Sequence, residues 1–126
     1  MKKFLTIACI YGFIGIAFGA FGAHGIKGKI DPERYANYRV GVEYLFFHLV
    51  PLFYLSVQHF SKRLNLAGWF FTIGILLFTG SNLLMTTQEL HHINFKFIWP
   101  TTPIGGVLMM LGWALLIIHS LNRSEK

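Results

Sequence analysis

The side chains able to do chemistry in this sequence are few and unevenly placed. They are His24 near the end of the first apolar run, Glu43 just before the second with Tyr44 and His48 inside it, Ser81 and Asn82 in the third, Thr101 and Thr102 near the start of the fourth, and the pair His91-His92. A carboxylate and a histidine five residues apart on one helix differ in depth by about 7 to 8 Å at ~1.5 Å per residue. Glu43 and His48 therefore fit the entrance of a proton relay, although no carboxylate follows them deeper into the apolar runs. His24 and His48 fit, as a pair, the axial ligands of a haem or the ligands of a metal ion. The reading that asks for no reaction is a neutral His48 that hydrogen-bonds a neighbouring helix or the backbone freed by Pro51. On that reading His48→Gln is tolerated, and His48→Leu strands a polar partner at about 1 to 2 kcal/mol. The only cysteine, Cys9, lies inside an apolar run, so one chain can build neither a disulfide framework nor a cysteine metal site. No hydrolase, phosphate-loop or dinucleotide motif is present, and the glycines stand in apolar runs rather than after strands.

The elements that position these groups are helices in a membrane. With 54% of its residues hydrophobic and only 13% charged, the chain cannot cover a soluble surface. Four uncharged runs, Phe4–Ile26, Tyr44–Ser61, Leu64–Gln88 and Phe97–Asn122, each reach the ~18 residues that cross a ~30 Å hydrocarbon core. The net charge of +6 does not imply nucleic acid, because Lys2, Lys3, Lys62, Arg63, Lys96, Arg123 and Lys126 flank these runs as anchors. In the first run Ala8, Gly12, Gly15, Gly19, Gly22 and Ala23 fall on one stripe about 100° wide at ~100° per residue. Where lipid tails are as apolar as the side chains, such a stripe lets a second helix come close. The start Met1-Lys2-Lys3 with Ala20-Phe21-Gly22 also resembles a secretory signal, but a helical phase kept over four turns favours a retained packing helix.

Ile26 to Ile30, after Gly25, is a short basic turn. Asp31-Pro32-Glu33 then marks a helix start, with Asp31 as cap and Pro32 at the first position. Arg34, Tyr35, Tyr38 and Arg39 form an aromatic and basic mix suited to the headgroup layer, and Arg39 with Glu43 makes a pair four residues apart. Pro51 bends this helix beside His48. A tight turn from Gln58 to Arg63 makes the second and third helices antiparallel neighbours. Ala67, Gly74 and Ser81 repeat small residues at heptad spacing, Thr102-Pro103 signals the cap and first residue of the last helix, and Gly105, Gly106 and Gly112 give that helix a close-packing face.

Gly19-Ala20-Phe21-Gly22-Ala23-His24-Gly25, Glu43-Tyr44 with His48, Gly74 to Ser81, and Thr102-Pro103-Ile104-Gly105-Gly106 with Gly112-Trp113 resemble domain-of-unknown-function family 423. These are small four-helix proteins of bacterial inner membranes, to which the eukaryotic transmembrane protein 256 is similar. The resemblance implies a four-helix membrane fold and no known activity. This chain departs from the family's pattern at Leu45, where glutamine is common, at Asn82-Leu83, where Leu-Tyr is common, and in its long third loop.

The expected fold is all-α, a four-helix transmembrane bundle running up-down-up-down, one integral membrane domain over 1–126 with helices near 4–24, 32–61, 65–87 and 103–121. His24, Glu43, Tyr44, His48, Ser81, Asn82 and Thr102 then gather at one end as a candidate polar cluster. Gly12, Gly15, Gly19, Gly22, Gly74, Gly105, Gly106 and Gly112 carry the packing. No cofactor, metal or catalytic residue is assigned. The expected partners are the lipid bilayer and either another membrane protein or a second copy, with no nucleic acid. Six Lys and Arg residues at the termini and second loop against five in the first and third loops lean toward both termini in the cytoplasm.

Overall fold

A computed structural model describes residues 1–123; Lys126 and the side chain of Arg123, both expected as flanking anchors, lie outside the described residues. The described chain is helical: α1 (Lys3–Phe21), α2 (Pro32–Ser56), α3 (Lys62–Thr86), the single turn α4 (Gln88–His91) and α5 (Thr101–Arg123). Three stretches, Lys3–Ile26, Lys62–Thr86 and Lys96–Asn122, are long and apolar enough to cross a membrane. The expectation of four such helices is thus met by three. Glu33, Arg34, Arg39 and Glu43 dilute the first half of α2.

Local chemistry sets the ends of these elements. The Asp31 carboxylate accepts the backbone N–H groups of Glu33 at 2.9 Å and Arg34 at 3.4 Å, and Pro32 occupies the first turn, as its sequence predicts. After Phe21 the chain makes a π-helical turn over Gly22–Ile26, closed by the Lys27 N–H on the Gly22 carbonyl at 3.0 Å. Gly28 follows at φ 80°, a conformation a side chain would resist. α2 stops at Ser56, five residues short of the expected end, so Lys62 and Arg63 open α3 rather than close α2. α5 begins at Thr101, one residue before the expected cap. Thr102 is therefore inside the helix, and its hydroxyl is bonded to another helix instead.

Neighbouring long helices run antiparallel, and small residues carry the register. Gly22 meets Tyr38, Gly19 meets Val42, Gly15 meets Leu45 and Phe46, and Gly12 meets Leu49. The stripe on α1 is therefore a packing face against α2; only Ala23 leaves it, exposed where the π turn shifts the helical phase. Between α2 and α3, Gly41 sits under Asn82, and the Thr79 hydroxyl donates to the Gly41 carbonyl at 2.9 Å. α3 and α5 share the most extensive interface. A Cβ on Gly105 would stand 2.5 Å from the Phe78 nitrogen and 2.8 Å from the Gly74 carbonyl oxygen, so here backbone approaches backbone. Ala67, Gly74 and Ser81 are all buried, as the heptad spacing implies. α1 and α3 touch at their N-terminal halves, where the Phe4 ring lies on Gly68 and the Tyr11 hydroxyl donates to the Thr72 carbonyl at 2.9 Å. α1 and α5 share no substantial interface.

The glycines are unequal. Gly105 is closed by backbone, whereas Gly106 has only Phe78 Cδ2 at 4.0 Å and Gly19 only Val42 Cγ1 at 3.8 Å. Gly105→Ala is expected to cost about 1 to 3 kcal/mol through overpacking, while Gly106→Ala and Gly19→Ala are neutral or stabilising because alanine is the better helix former. Thermal unfolding in mild detergent checks this ranking; equal midpoints for Gly105→Ala and Gly106→Ala would contradict it.

Candidate functional site

His48 is the deepest of the residues singled out by their chemistry. It lies on the inner side of α2, 8% exposed, in the same packed layer as Phe71 of α3 and Trp113 of α5. Ring centroids stand 5.9 Å from Phe71, 6.2 Å from Trp113 and 5.9 Å from Tyr44, and Tyr44 in turn stacks on Phe78 at 4.8 Å. Nδ1 approaches the Tyr44 carbonyl oxygen at 2.7 Å. A carbonyl only accepts, so Nδ1 carries a proton, and in a neutral ring the acceptor is then Nε2. The partner is thus on the same helix, one turn back, and not a neighbouring helix or the Phe47 carbonyl freed by Pro51.

The remaining polar residues lie toward one end but separate into small groups. Ser81 Oγ and Thr102 Oγ1 are 2.6 Å apart and join α3 to α5, while Ser81 also reaches the Leu77 carbonyl at 2.6 Å. Asn82 packs over Gly41. Thr101 donates to the Ile98 carbonyl at 2.7 Å. Glu43 pairs with Arg39 at 3.2 Å, the i,i+4 bridge legible in the sequence, with both side chains more than half exposed. Such a pair contributes about 0.3 to 0.5 kcal/mol. His24 is exposed in the π turn. Because Gly12 is level with Leu49, His24 stands twelve residues above the His48 layer, roughly 18 Å at ~1.5 Å per residue. The two histidines cannot share one ion or haem, and the expected single cluster is corrected to this set of separate contacts. Among the described residues, no three His, Cys, Asp or Glu side chains lie within reach of one metal ion.

Three features escape the sequence reading. Arg34 leaves the headgroup role for an ion pair with Glu89 at 3.1 Å, and the Gln88 amide oxygen, in its satisfied orientation, accepts from the same guanidinium at 2.7 and 3.1 Å. This ties α4 to the start of α2. Tyr38 is buried at 1% exposure rather than interfacial, its ring on Gly22 and its hydroxyl on the Phe18 carbonyl at 2.7 Å. Gly41 and Gly68 are packing glycines that the stripe pattern does not include. Each stands inside a helix, where glycine costs ~1 kcal/mol relative to alanine, and that cost is the signal that could have flagged them.

Comparison with known proteins gives the same family along most of the chain. Residues 18–106 match the family model described as "Protein of unknown function (DUF423)". A UPF0382 membrane protein of Staphylococcus aureus is 32% identical over 94% of both chains. The UPF0382 membrane protein YwdK of Bacillus subtilis is 31% identical over 97% of this chain and 98% of its own, and one of Haemophilus influenzae is 33% identical over 94% of both. No solved structure matches.

The hydrogen bond of His48 changes what its substitution should do. The Tyr44 carbonyl, inside α2, has its own helical N–H donor, so His48→Leu strands nothing and is not expected to be damaging. His48→Leu and His48→Gln are expected to stay within about 1 kcal/mol of the parent, whereas His48→Ala, which empties the space between Phe71 and Trp113, loses about 1 to 3 kcal/mol. Thermal unfolding in detergent decides; leucine as harmful as alanine would show that the ring nitrogens, not the ring volume, matter.

Proposed function

The chain belongs to the DUF423 family of membrane proteins of unknown function, and from that premise we propose that it is a non-catalytic protein of the bacterial inner membrane that works by lateral association. In this reading α2 also spans, giving a four-helix up-down-up-down bundle. Both termini lie in the cytoplasm, and the partner is another membrane protein or a second copy.

The observation that supports it is how little of the outer helices the fold covers. The apolar windows of α1 and α5 are each 17% buried, against 44% for α3. Phe13, Ile16 and Met110 are 78%, 67% and 71% exposed. The tight glycines Gly15, Gly22, Gly74, Gly105 and Gly112 are used within the chain, so a partner meets the large apolar side chains of α1 and α5 instead. This relocates the surface the sequence suggested for association. No specific contact favours the relay reading. Glu43 is held by Arg39 at the surface, and the described acidic residues Asp31, Glu33, Glu43 and Glu89 sit in loops, in α4 or in the first half of α2.

Purification in mild detergent tests the proposal. The expected product is colourless, carries no stoichiometric metal, and has a mass above that of one chain, from a second copy or a co-purifying membrane protein. A monodisperse single chain would contradict lateral association, and a visible haem band would contradict the non-catalytic reading. Reporter fusions at the C-terminus are expected to report the cytoplasm; external activity would overturn the orientation.

A further inference from the structure

α2 and α5 both pack on α3 and share no substantial interface with each other, which leaves a lateral cleft between them. Its lining is Tyr44, Phe47, His48 and Val50 of α2 and Trp113 of α5. Phe71 of α3, fully buried, stands 5.9 Å from the His48 ring and 5.4 Å from the Trp113 ring, centroid to centroid. The other four lining side chains are exposed, whereas His48 is 8% exposed.

One atom of this lining lacks a partner. His48 Nδ1 is engaged with the Tyr44 carbonyl, and no group of the protein bonds Nε2. Among the described residues, the buried side-chain nitrogen or oxygen without a hydrogen bond is Asn65 Oδ1 alone. Nε2, equally unpartnered, is therefore not sealed in the core but open to the cleft that its ring lines.

The depth of this acceptor limits what can answer it. Leu49 is level with Gly12, near the middle of the apolar stretch Lys3–Ile26. His48 thus lies roughly 15 Å from either headgroup layer of a ~30 Å hydrocarbon core, beyond the polar groups of a phospholipid. An acceptor left bare in hydrocarbon is costly, and the donor that relieves it has to be carried by a molecule soluble in the core. The walls narrow the class. The rings of Tyr44, Phe47 and Trp113 suit a flat aromatic ring, which packs on others at about 4.5 to 7 Å between centroids.

We propose that the cleft between α2 and α5 binds a hydroquinone that carries a hydrocarbon tail, its ring among Tyr44, Phe47 and Trp113 and one O–H donating to His48 Nε2. The ligand enters sideways from the bilayer. With Nδ1 holding its proton against the Tyr44 carbonyl, the neutral ring offers only an acceptor to the cleft. The site therefore takes the hydroquinone and discriminates against the quinone, whose oxygens only accept. Binding alone is meant, with no transfer of electrons or protons. The site goes beyond lateral association and stands without it.

Calorimetric titration of the whole protein in mild detergent, against empty micelles, tests the site with four probes: a decyl-substituted hydroquinone kept reduced, its dimethyl ether, the corresponding quinone, and decanol. Saturable binding of the hydroquinone is expected, with each of the other three weaker by about tenfold, the scale of one hydrogen bond or ring contact in an apolar site. His48→Leu is expected to bind the hydroquinone no better than the parent binds the ether, while His48→Gln, whose amide oxygen accepts, keeps part of the affinity. Equal affinity for hydroquinone and ether, for hydroquinone and quinone, or for hydroquinone and decanol would overturn the proposal. So would an unchanged preference in His48→Leu, or no saturable binding by the parent, as when water or a partner's side chain already answers Nε2. The four probes on the parent protein decide the matter even if a variant fails to fold, and the mass of the purified particle is read separately.

Discussion

The structure depends on the missing Cβ atoms at a few helix crossings. Where Gly105 faces the backbone of Gly74 and Phe78, and where Gly15 and Gly22 receive Leu45 and Tyr38, the helices approach more closely than any side chain would permit. Inside a bilayer the hydrophobic effect does not drive helices together, so association comes from dispersion contacts of ~0.1 to 0.2 kcal/mol each, summed over an interface. Close approach multiplies them. The crossings also set the register, because Gly22 receives Tyr38, Gly68 receives Phe4 and Gly112 receives Phe71.

The second constraint is that a polar group in lipid needs a partner within the protein. Each buried hydroxyl meets it with a carbonyl: Thr79 on Gly41 across two helices, Tyr38 on Phe18, Thr86 on Asn82 within its own helix. Ser81 and Thr102 add one bond between side chains at the α3–α5 interface. The polar residues of the apolar interior are thus tied to backbone carbonyls of their own or a neighbouring helix. Glu43 shows the contrast. It lies on the exposed flank of α2, where Arg39 and solvent answer its charge.

Much that depends on one helix's own periodicity is legible in the sequence: the α1 stripe up to Gly22, the heptad of Ala67, Gly74 and Ser81, the Asp31 cap and the Arg39–Glu43 pair need only local spacing, and each is present. Two of the differences, at Arg34 and Tyr38, depend on partners distant in the chain, and a third, at His48, on which of two nearby carbonyls the side chain reaches. Arg34 looked interfacial because nothing local reveals Glu89, fifty-five residues away. Tyr38 looked interfacial because its place on Gly22 follows from the register of α1 against α2. His48 is deep, as its place in the sequence implies, but its side chain reaches the Tyr44 carbonyl rather than the Phe47 carbonyl that Pro51 frees. The candidate polar cluster came from topology alone, which places residues at one end of the helices without bringing their side chains together.

The small-residue faces pack against helices of the same chain, and the outer faces of α1 and α5 stay exposed. The most direct measurement replaces Ser81 and Thr102, whose hydroxyl oxygens are 2.6 Å apart, with cysteines in a Cys9→Ser background and oxidises the protein in native membranes. Rapid disulfide formation within single chains is expected, seen as loss of both free thiols with the protein still migrating as a monomer. Disulfide-linked dimers, or two thiols that stay reduced, would contradict it by placing the α3–α5 face between molecules or apart.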